Sequence, residues 1–266
     1  MKEEDRFVEY LMAKKLAEKT INHYFLLFKH LQKKINAYGL TQSTINKFIL
    51  NRPSNVTRAF VTNFIEFYNL RDVKVIRQTG RKPRKKYPTI SNGDMKILRE
   101  ELYKDAVKFG LLLDLSYYCA LRKSEALGIM AENFDWMQWK EDPTKPLRLK
   151  ITGKGGRDRI VIVPPSLAEI LEAFILSLDY LESETPLFQN VKTTTWQDHF
   201  KKVVREKLKK DYTLHDLRRS RATNWYSRGQ DLIKIKTKLG HASISTTQLY
   251  INPDEEKVLK EWEHEY

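Results

Sequence analysis

Six side chains form a set able to break a phosphodiester: Arg122, Lys154, His215, Arg218, His241 and Tyr250. The guanidiniums and the ammonium can hold an anion, the phenol can attack phosphorus, and the imidazoles and the lysine can move protons. The set contains no carboxylate pair and no cluster with metal-ligand spacing. Phosphate capture, attack by the phenol and protonation of the leaving oxygen is the chemistry it suits.

Each residue sits in a short string, and each also has a plainer reading when taken alone. In A-L-R-K-S-E-A-L, Arg122 and Glu125 are three apart at a helix start and share a face. The carboxylate can orient the arginine, or the two can be a surface ion pair. Lys154 lies in T-G-K-G-G-R-D-R between two strand patterns, where Gly155-Gly156 predicts a tight hairpin with Lys154 near its tip. This is not a nucleotide P-loop, and a lone turn lysine is usually just solvated. In L-H-D-L-R-R-S-R-A-T, Thr213 is a candidate N-cap. It places His215 and Arg218 in the first helical turn, where an anion is already favoured. Arg219 and Arg221 are expected to point elsewhere, to backbone phosphates or solvent. His241 follows Leu239-Gly240, which reads as a helix end with a left-handed glycine. Tyr250 comes nine residues later, in a short helix capped by Ser243 or Ser245.

The elements that must position these groups are mostly helical. Phe7, Tyr10, Leu11 and Leu16 open one amphipathic run, and Ile21, Tyr24, Phe25, Phe28 and Leu31 form a second. Thr41 or Ser43 can cap a third helix, and Asn55 or Thr57 a fourth ending near Leu70. Residues 1–70 therefore read as a bundle of four helices with aromatics in its core. Farther on, Ser91 or Asn92 can cap a helix to about Tyr103, and helices follow over Val107–Ala120 and Lys123–Met130. Three short antiparallel strands are expected from Phe134/Trp136/Trp139, Leu147/Leu149/Ile151 and Ile160/Ile162/Val163. Pro164-Pro165 ends that sheet, and helices fill most of the remainder. The fold class is mainly α, with a small three-stranded sheet in the second domain.

Of 266 residues, 41% are apolar and 48 Lys+Arg face 34 Asp+Glu, a net charge of +14. That balance points to a polyanionic partner. Residues 71–87 hold eight basic residues and one acidic one, half of the excess. Such a stretch repels itself unless an anion neutralises it. It reads as a linker (71–89) tracking DNA phosphates, with Arg81, Lys82, Arg84, Lys85 and Lys86 as backbone contacts. The single cysteine, Cys119, lies in an apolar run and reads as core. No apolar stretch reaches the length of a membrane span, and M-K-E-E-D-R is no signal peptide. A cytoplasmic protein is expected, with neither membrane nor small-molecule partner.

Taken jointly, the boxes A-L-R-K-S-E-A-L, L-H-D-L-R-R-S-R-A-T and L-G-H-A-S-I-S-T-T-Q-L-Y resemble those of the tyrosine recombinase (phage integrase) family in order, spacing and context. The resemblance is strong over about 90–252 and rests on layout alone over 1–70. Arg219 stands where many members carry a histidine. The resemblance implies a core-binding domain of the SAM-like type over 1–70 and a catalytic domain over 90–266. It also implies a C-terminal helix, 255–266, that docks on a neighbouring subunit. Val258, Leu259, Trp262 and Tyr266 form a stripe on that helix that packs either there or on its own domain.

The implied roles are a phosphate clamp by Arg122 and Arg218, attack by Tyr250, proton acceptance by His215, protonation of the 5′ oxygen by Lys154 and a further hydrogen bond from His241. The implied product is a 3′-phosphotyrosyl link, made without metal, ATP or other cofactor. The implied partners are duplex DNA and further copies of the chain, as a tetramer, in a prokaryotic or viral setting. The alternatives are a type IB topoisomerase-like enzyme and a non-catalytic DNA-binding protein of recombinase descent. The target site, and the choice between integration, excision and dimer resolution, are not legible.

Overall fold

The computed structural model describes residues 2–75, 87–153, 156, 158–178 and 184–251. It comprises two compact units, Met1–Pro83 and Arg84–Tyr266.

The first unit holds α1 (Glu3–Ala13), α2 (Glu18–Tyr38), α3 (Gln42–Asn51) and α4 (Asn55–Phe67). Phe7 and Leu11 of α1, and Ile21, Tyr24, Leu27, Phe28 and Leu31 of α2, fall at helical spacing and are buried. They close on Phe48, Phe60 and Phe64, so the aromatics are core, as their spacing predicts. Phe7 lies 4.9 Å from Phe28 and 5.2 Å from Phe67 between ring centroids. Each buried phenylalanine contributes roughly 1.5–3 kcal/mol. The Thr41 hydroxyl caps α3 by accepting from the Thr44 N–H at 3.1 Å. The α4 cap is Ser54, not Asn55 or Thr57: its hydroxyl accepts from the Thr57 N–H at 3.0 Å. Pro53 precedes it, and the serine is the last extended residue before the helix.

The second unit begins with α5 (Asn92–Asp105), capped by Ser91, and α6 (Val107–Tyr118), which is buried on nearly every side. Cys119 is buried just beyond it, and burial pushes its thiol up to about 12. Next come α7 (Lys123–Leu127), α8 (Trp136–Glu141), β1 (Leu147–Thr152), β2 (Asp158–Val163), α9 (Pro165–Leu176) and α10 (Thr193–Val203). The site is completed by α11 (Leu214–Ser227), α12 (Leu232–Leu239) and α13 (Ile244–Gln248).

Two expectations about the sheet need correction. The Phe134/Trp136/Trp139 segment is no strand. Asp135 caps α8 by accepting from the Gln138 N–H at 3.3 Å, and Trp136 and Trp139 are one helical turn apart. Only Phe134 bridges to Leu149, so the sheet among the described residues has two strands. In β2 the inward face is Arg159, Val161 and Val163, while Ile160 and Ile162 are 56% and 50% exposed. The pairing Leu149↔Val161 and Ile151↔Arg159 sets this phase. An arginine at an inward position hides the alternation, and its partner explains why it is there.

Candidate active site

Local chemistry brings the boxes into place. Arg122 is the N-cap of α7, and its N–H donates to Glu125 Oε2 at 2.8 Å while its Nη1 donates to Oε1 at 2.6 Å. The shared face expected from the sequence is thus a formed ion pair. α11 opens with a capping box in which Asp216 Oδ2 accepts from the Thr213 N–H at 2.8 Å and from its hydroxyl at 2.7 Å. That cap sets the start of the helix that carries His215 and Arg218. α12 ends at Gly240 with φ +62°, the left-handed stop expected there. Ser243 caps α13 by accepting from the Ser245 N–H at 3.3 Å. Tyr250 lies in the turn just beyond this helix. Its carbonyl accepts from Thr223 Oγ1 at 3.1 Å, and the next residue, Ile251, is buried with Ala222, Ile235 and Leu239.

These segments converge. The Tyr250 hydroxyl is 2.7 Å from His215 Nε2, and the Tyr250 ring is 5.1 Å from the His215 ring and 4.7 Å from the His241 ring. Arg218 is fully buried. It donates to the Ala120 and Leu239 carbonyls, and its Nη2 is 3.2 Å from His241 Nε2. An arginine has no lone pair to offer, so that bond fixes His241 with Nε2 accepting. Its Nδ1–H is then free to donate to the buried Thr247 hydroxyl at 3.0 Å. Arg218 Nη1 is 3.8 Å from Glu125 Oε2, which joins the first box to the second.

The cluster is strongly positive, and burial and that charge together shift the proton affinities of its groups. Desolvation, then the charges of Arg219 and Arg218, push His215 down to about 4, although the residue as a whole is exposed. Burial, then Arg218, pushes His241 down to about 3. Burial, then Arg122, lowers Arg218 to about 10. Burial alone would raise Glu125, but hydrogen bonds from Arg159 and from the Arg122 backbone bring it to about 2. At neutral pH both imidazoles are therefore neutral, the Glu125 carboxylate is charged, and the Tyr250 O–H can donate to His215.

Five of the six expected residues meet here. Lys154 lies outside the described residues, as do Arg81, Lys82, Arg84, Lys85, Lys86 and the stretch 252–266. Arg219 donates to Asp216 at 3.1 Å, stacks 3.6 Å from the Tyr87 ring centroid and sits 5.4 Å from that of Tyr250. Arg221 is apart from the cluster, among Tyr117, Tyr118 and Trp225 at 5.3–5.7 Å.

Sequence reasoning missed Arg159, Thr247 and the Ala120 carbonyl. Arg159 makes a two-point contact with Glu125, Nη1 to Oε1 at 3.1 Å and Nη2 to Oε2 at 2.7 Å. Its signal was the alternation Arg159-Val161-Val163, with a charge in the inward phase. Ala120 has φ +50°, a left-handed conformation costing roughly 1–2 kcal/mol, and its carbonyl accepts from Arg218. No group of three His, Cys, Asp or Glu side chains among the described residues could hold a metal. No helix among them is long and apolar enough to cross a membrane.

Residues 92–257 match the model of the phage integrase family. Tyrosine recombinase XerC of Rhizobium meliloti (strain 1021) is 35% identical over 58% of this chain and 48% of its own length. The match thus spans about half the length of that relative. A tyrosine recombinase of Pseudothermotoga lettingae is 28% identical over 86% of this chain and 79% of its own. Among solved structures, XerH site-specific recombinase bound to palindromic difH substrate superposes with TM-score 0.73 at 18% identity, covering 96% of this chain and 83% of that one. A lambda integrase tetramer bound to a Holliday junction gives 0.70 at 14% identity, covering 93% and 76%. Identities this low establish a shared fold.

Proposed function

This chain belongs to the phage integrase family, and on that premise we propose that it is a site-specific DNA recombinase. In this reading it cleaves and rejoins duplex DNA through a 3′-phosphotyrosyl intermediate. The observation that carries the proposal is the 2.7 Å contact between the Tyr250 hydroxyl and a neutral His215, beside Arg218, His241 and the Arg122–Glu125 pair.

In the forward step the Tyr250 oxygen bonds to phosphorus, its proton passes to His215 Nε2, and the P–O5′ bond breaks. Lys154 supplies the proton to the departing 5′ oxygen. A free phenol loses its proton near pH 10, so the step needs a base and a positive site together. The neutral His215 is the base. Arg122 and Arg218 supply the positive site and take the non-bridging oxygens. Arg218 acts from a buried position, where its field is little screened. His241 accepts from Arg218 and so orients it. A hydrogen bond from His241 to the phosphate follows once Arg218 engages that phosphate and the ring exchanges its tautomer. The ester keeps the bond energy, so a 5′ hydroxyl from a second duplex reverses the step without ATP.

In this reading residues 1–70 form a core-binding domain, 71–89 a linker along the DNA backbone and 90–266 the catalytic domain. Copies assemble as a tetramer on paired sites, in the cytoplasm. The structures of related recombinases on DNA, one of them a tetramer on a Holliday junction, support that picture. A nicked duplex that loses its 5′ fragment after cleavage tests it: a covalent adduct on a denaturing gel is expected. No adduct would leave a binding protein, and adduct without strand exchange between two duplexes would leave a topoisomerase-like enzyme.

A further inference from the structure

We infer that Arg159 is a positioning residue for phosphate activation. It takes up the Glu125 carboxylate so that Arg122 stays oriented yet keeps its charge for the scissile phosphate. The inference rests on the cleavage reading above and names a residue that reading does not use.

The geometry is a shared carboxylate. Glu125 Oε1 accepts from Arg122 Nη1 at 2.6 Å and Arg159 Nη1 at 3.1 Å, and Oε2 accepts from the Arg122 N–H at 2.8 Å and Arg159 Nη2 at 2.7 Å. All four bonds arrive at a carboxylate whose side chain is 7% exposed, and the Arg159 side chain is 9% exposed. A guanidinium locked in this forked geometry is fixed in plane and distance, which a single ammonium cannot match. Glu125 is thereby held for Arg122, which is 31% exposed and has donors left over.

Charge counting makes the same point. Arg122, Arg159 and Arg218 surround one carboxylate, so three positive charges against one negative leave two. A phosphodiester carries one negative charge, and its five-coordinate transition state carries two. Without Arg159 the carboxylate would cancel Arg122 alone, and the site would match the ground state rather than the transition state.

Arg159 also ties two boxes together. It projects from the β1–β2 hairpin toward Gly240, where an added Cβ would lie 3.0 Å from Arg159 Cδ. The glycine before His241 therefore leaves room for the Arg159 stem as well as ending α12. One side chain links the hairpin, the Arg122 box and the His241 segment.

The test measures single-turnover adduct formation on the nicked duplex by wild type, Arg159→Gln and Arg159→Lys. Two substrates are used: a normal scissile phosphate and a methylphosphonate, which lacks the non-bridging charge. Arg159→Gln is expected to slow cleavage of the normal phosphate on the order of 10²-fold with DNA affinity unchanged, and Arg159→Lys to recover part of that. On the methylphosphonate the deficit should shrink by about tenfold or more, because there is less charge to stabilise. Arg159→Gln cleaving like wild type would overturn the inference alone. So would equal deficits on both substrates with no recovery by lysine, which would mark a merely structural role. A wild type that forms no adduct on either substrate would overturn the cleavage reading, and this inference with it.

Discussion

The two units of this chain are stabilised in opposite ways. Among the described residues of the helical bundle the only buried polar ones are Thr44 and Thr57, and both hydroxyls sit beside helix caps. The second unit buries Asp94, Asp114, Asp216, Arg218 and His241. Its Arg99 holds the fully buried Asp114 at 2.8 and 2.9 Å, with Tyr103 at 2.9 Å. Apolar burial is the less costly way to hold a fold, and a buried ion pair is often no better than its hydrophobic replacement. Of that buried charge, Arg218 and His241 lie in the candidate site beside Tyr250, whereas Asp94 and Asp114 are held by ion pairs and tyrosine hydroxyls away from it.

The difference can be broken or sharpened at specific positions. Tyr250→Phe should abolish the covalent adduct while DNA binding stays near normal, since binding rests on many phosphate contacts. A persistent adduct on a denaturing gel would remove Tyr250 from the nucleophile role. Next in size are single-core lesions. Phe60→Ala in the bundle should cost about 3–5 kcal/mol through a cavity. Glu125→Gln should cost a similar 3–5 kcal/mol by leaving Arg159 and Arg218 short of their counter-charge. Urea unfolding of both variants checks the pair, and only the second should also slow cleavage. Lys154→Ala should be rescued by a 5′-bridging phosphorothioate, whose leaving group needs no proton. Equal impairment on both substrates would take the acid role away from Lys154.

A smaller effect follows from pH. His215 at about 4 and His241 at about 3 lie below the ~6.5 of a free imidazole, so the unfolded chain binds these protons first. Their contribution to stability is intact above about pH 6.5 and is lost as pH falls toward 4 and then 3. The second unit should weaken between pH 7 and 5, and His241→Asn should flatten that slope. The bundle, with no buried histidine or carboxylate among its described residues, should unfold alike at both pH values. A bundle that weakened as much would undo the contrast. The smallest effect is Ser54→Ala, which removes one helix cap at a cost of about 1 kcal/mol.

The fold was legible where period and caps agree. The α2 stripe, Thr41, Ser91, Thr213 and the left-handed Gly240 all follow from residues within a turn of one another. α8 was misread because Phe134 and Trp136 alternate like a strand, while the Asp135 cap and the three-residue step to Trp139 form a helix. The site was legible as residue types in local strings, since each box carries its own cap or stop. What those strings could not reveal is pairing across the chain.

The sequence by itself determined the helical character, the basic charge and the identity of the groups able to attack and hold a phosphate. Those depend on side-chain chemistry and on spacing along one element. Only the tertiary structure decided that His215 is neutral beside Tyr250 and that Arg218 is bound to the Ala120 and Leu239 carbonyls. It alone placed Arg159 on the far side of Glu125, from 34 positions away. The reason is that proton affinity and hydrogen-bond geometry are set by everything within a few ångströms, and packing, not sequence order, chooses those neighbours.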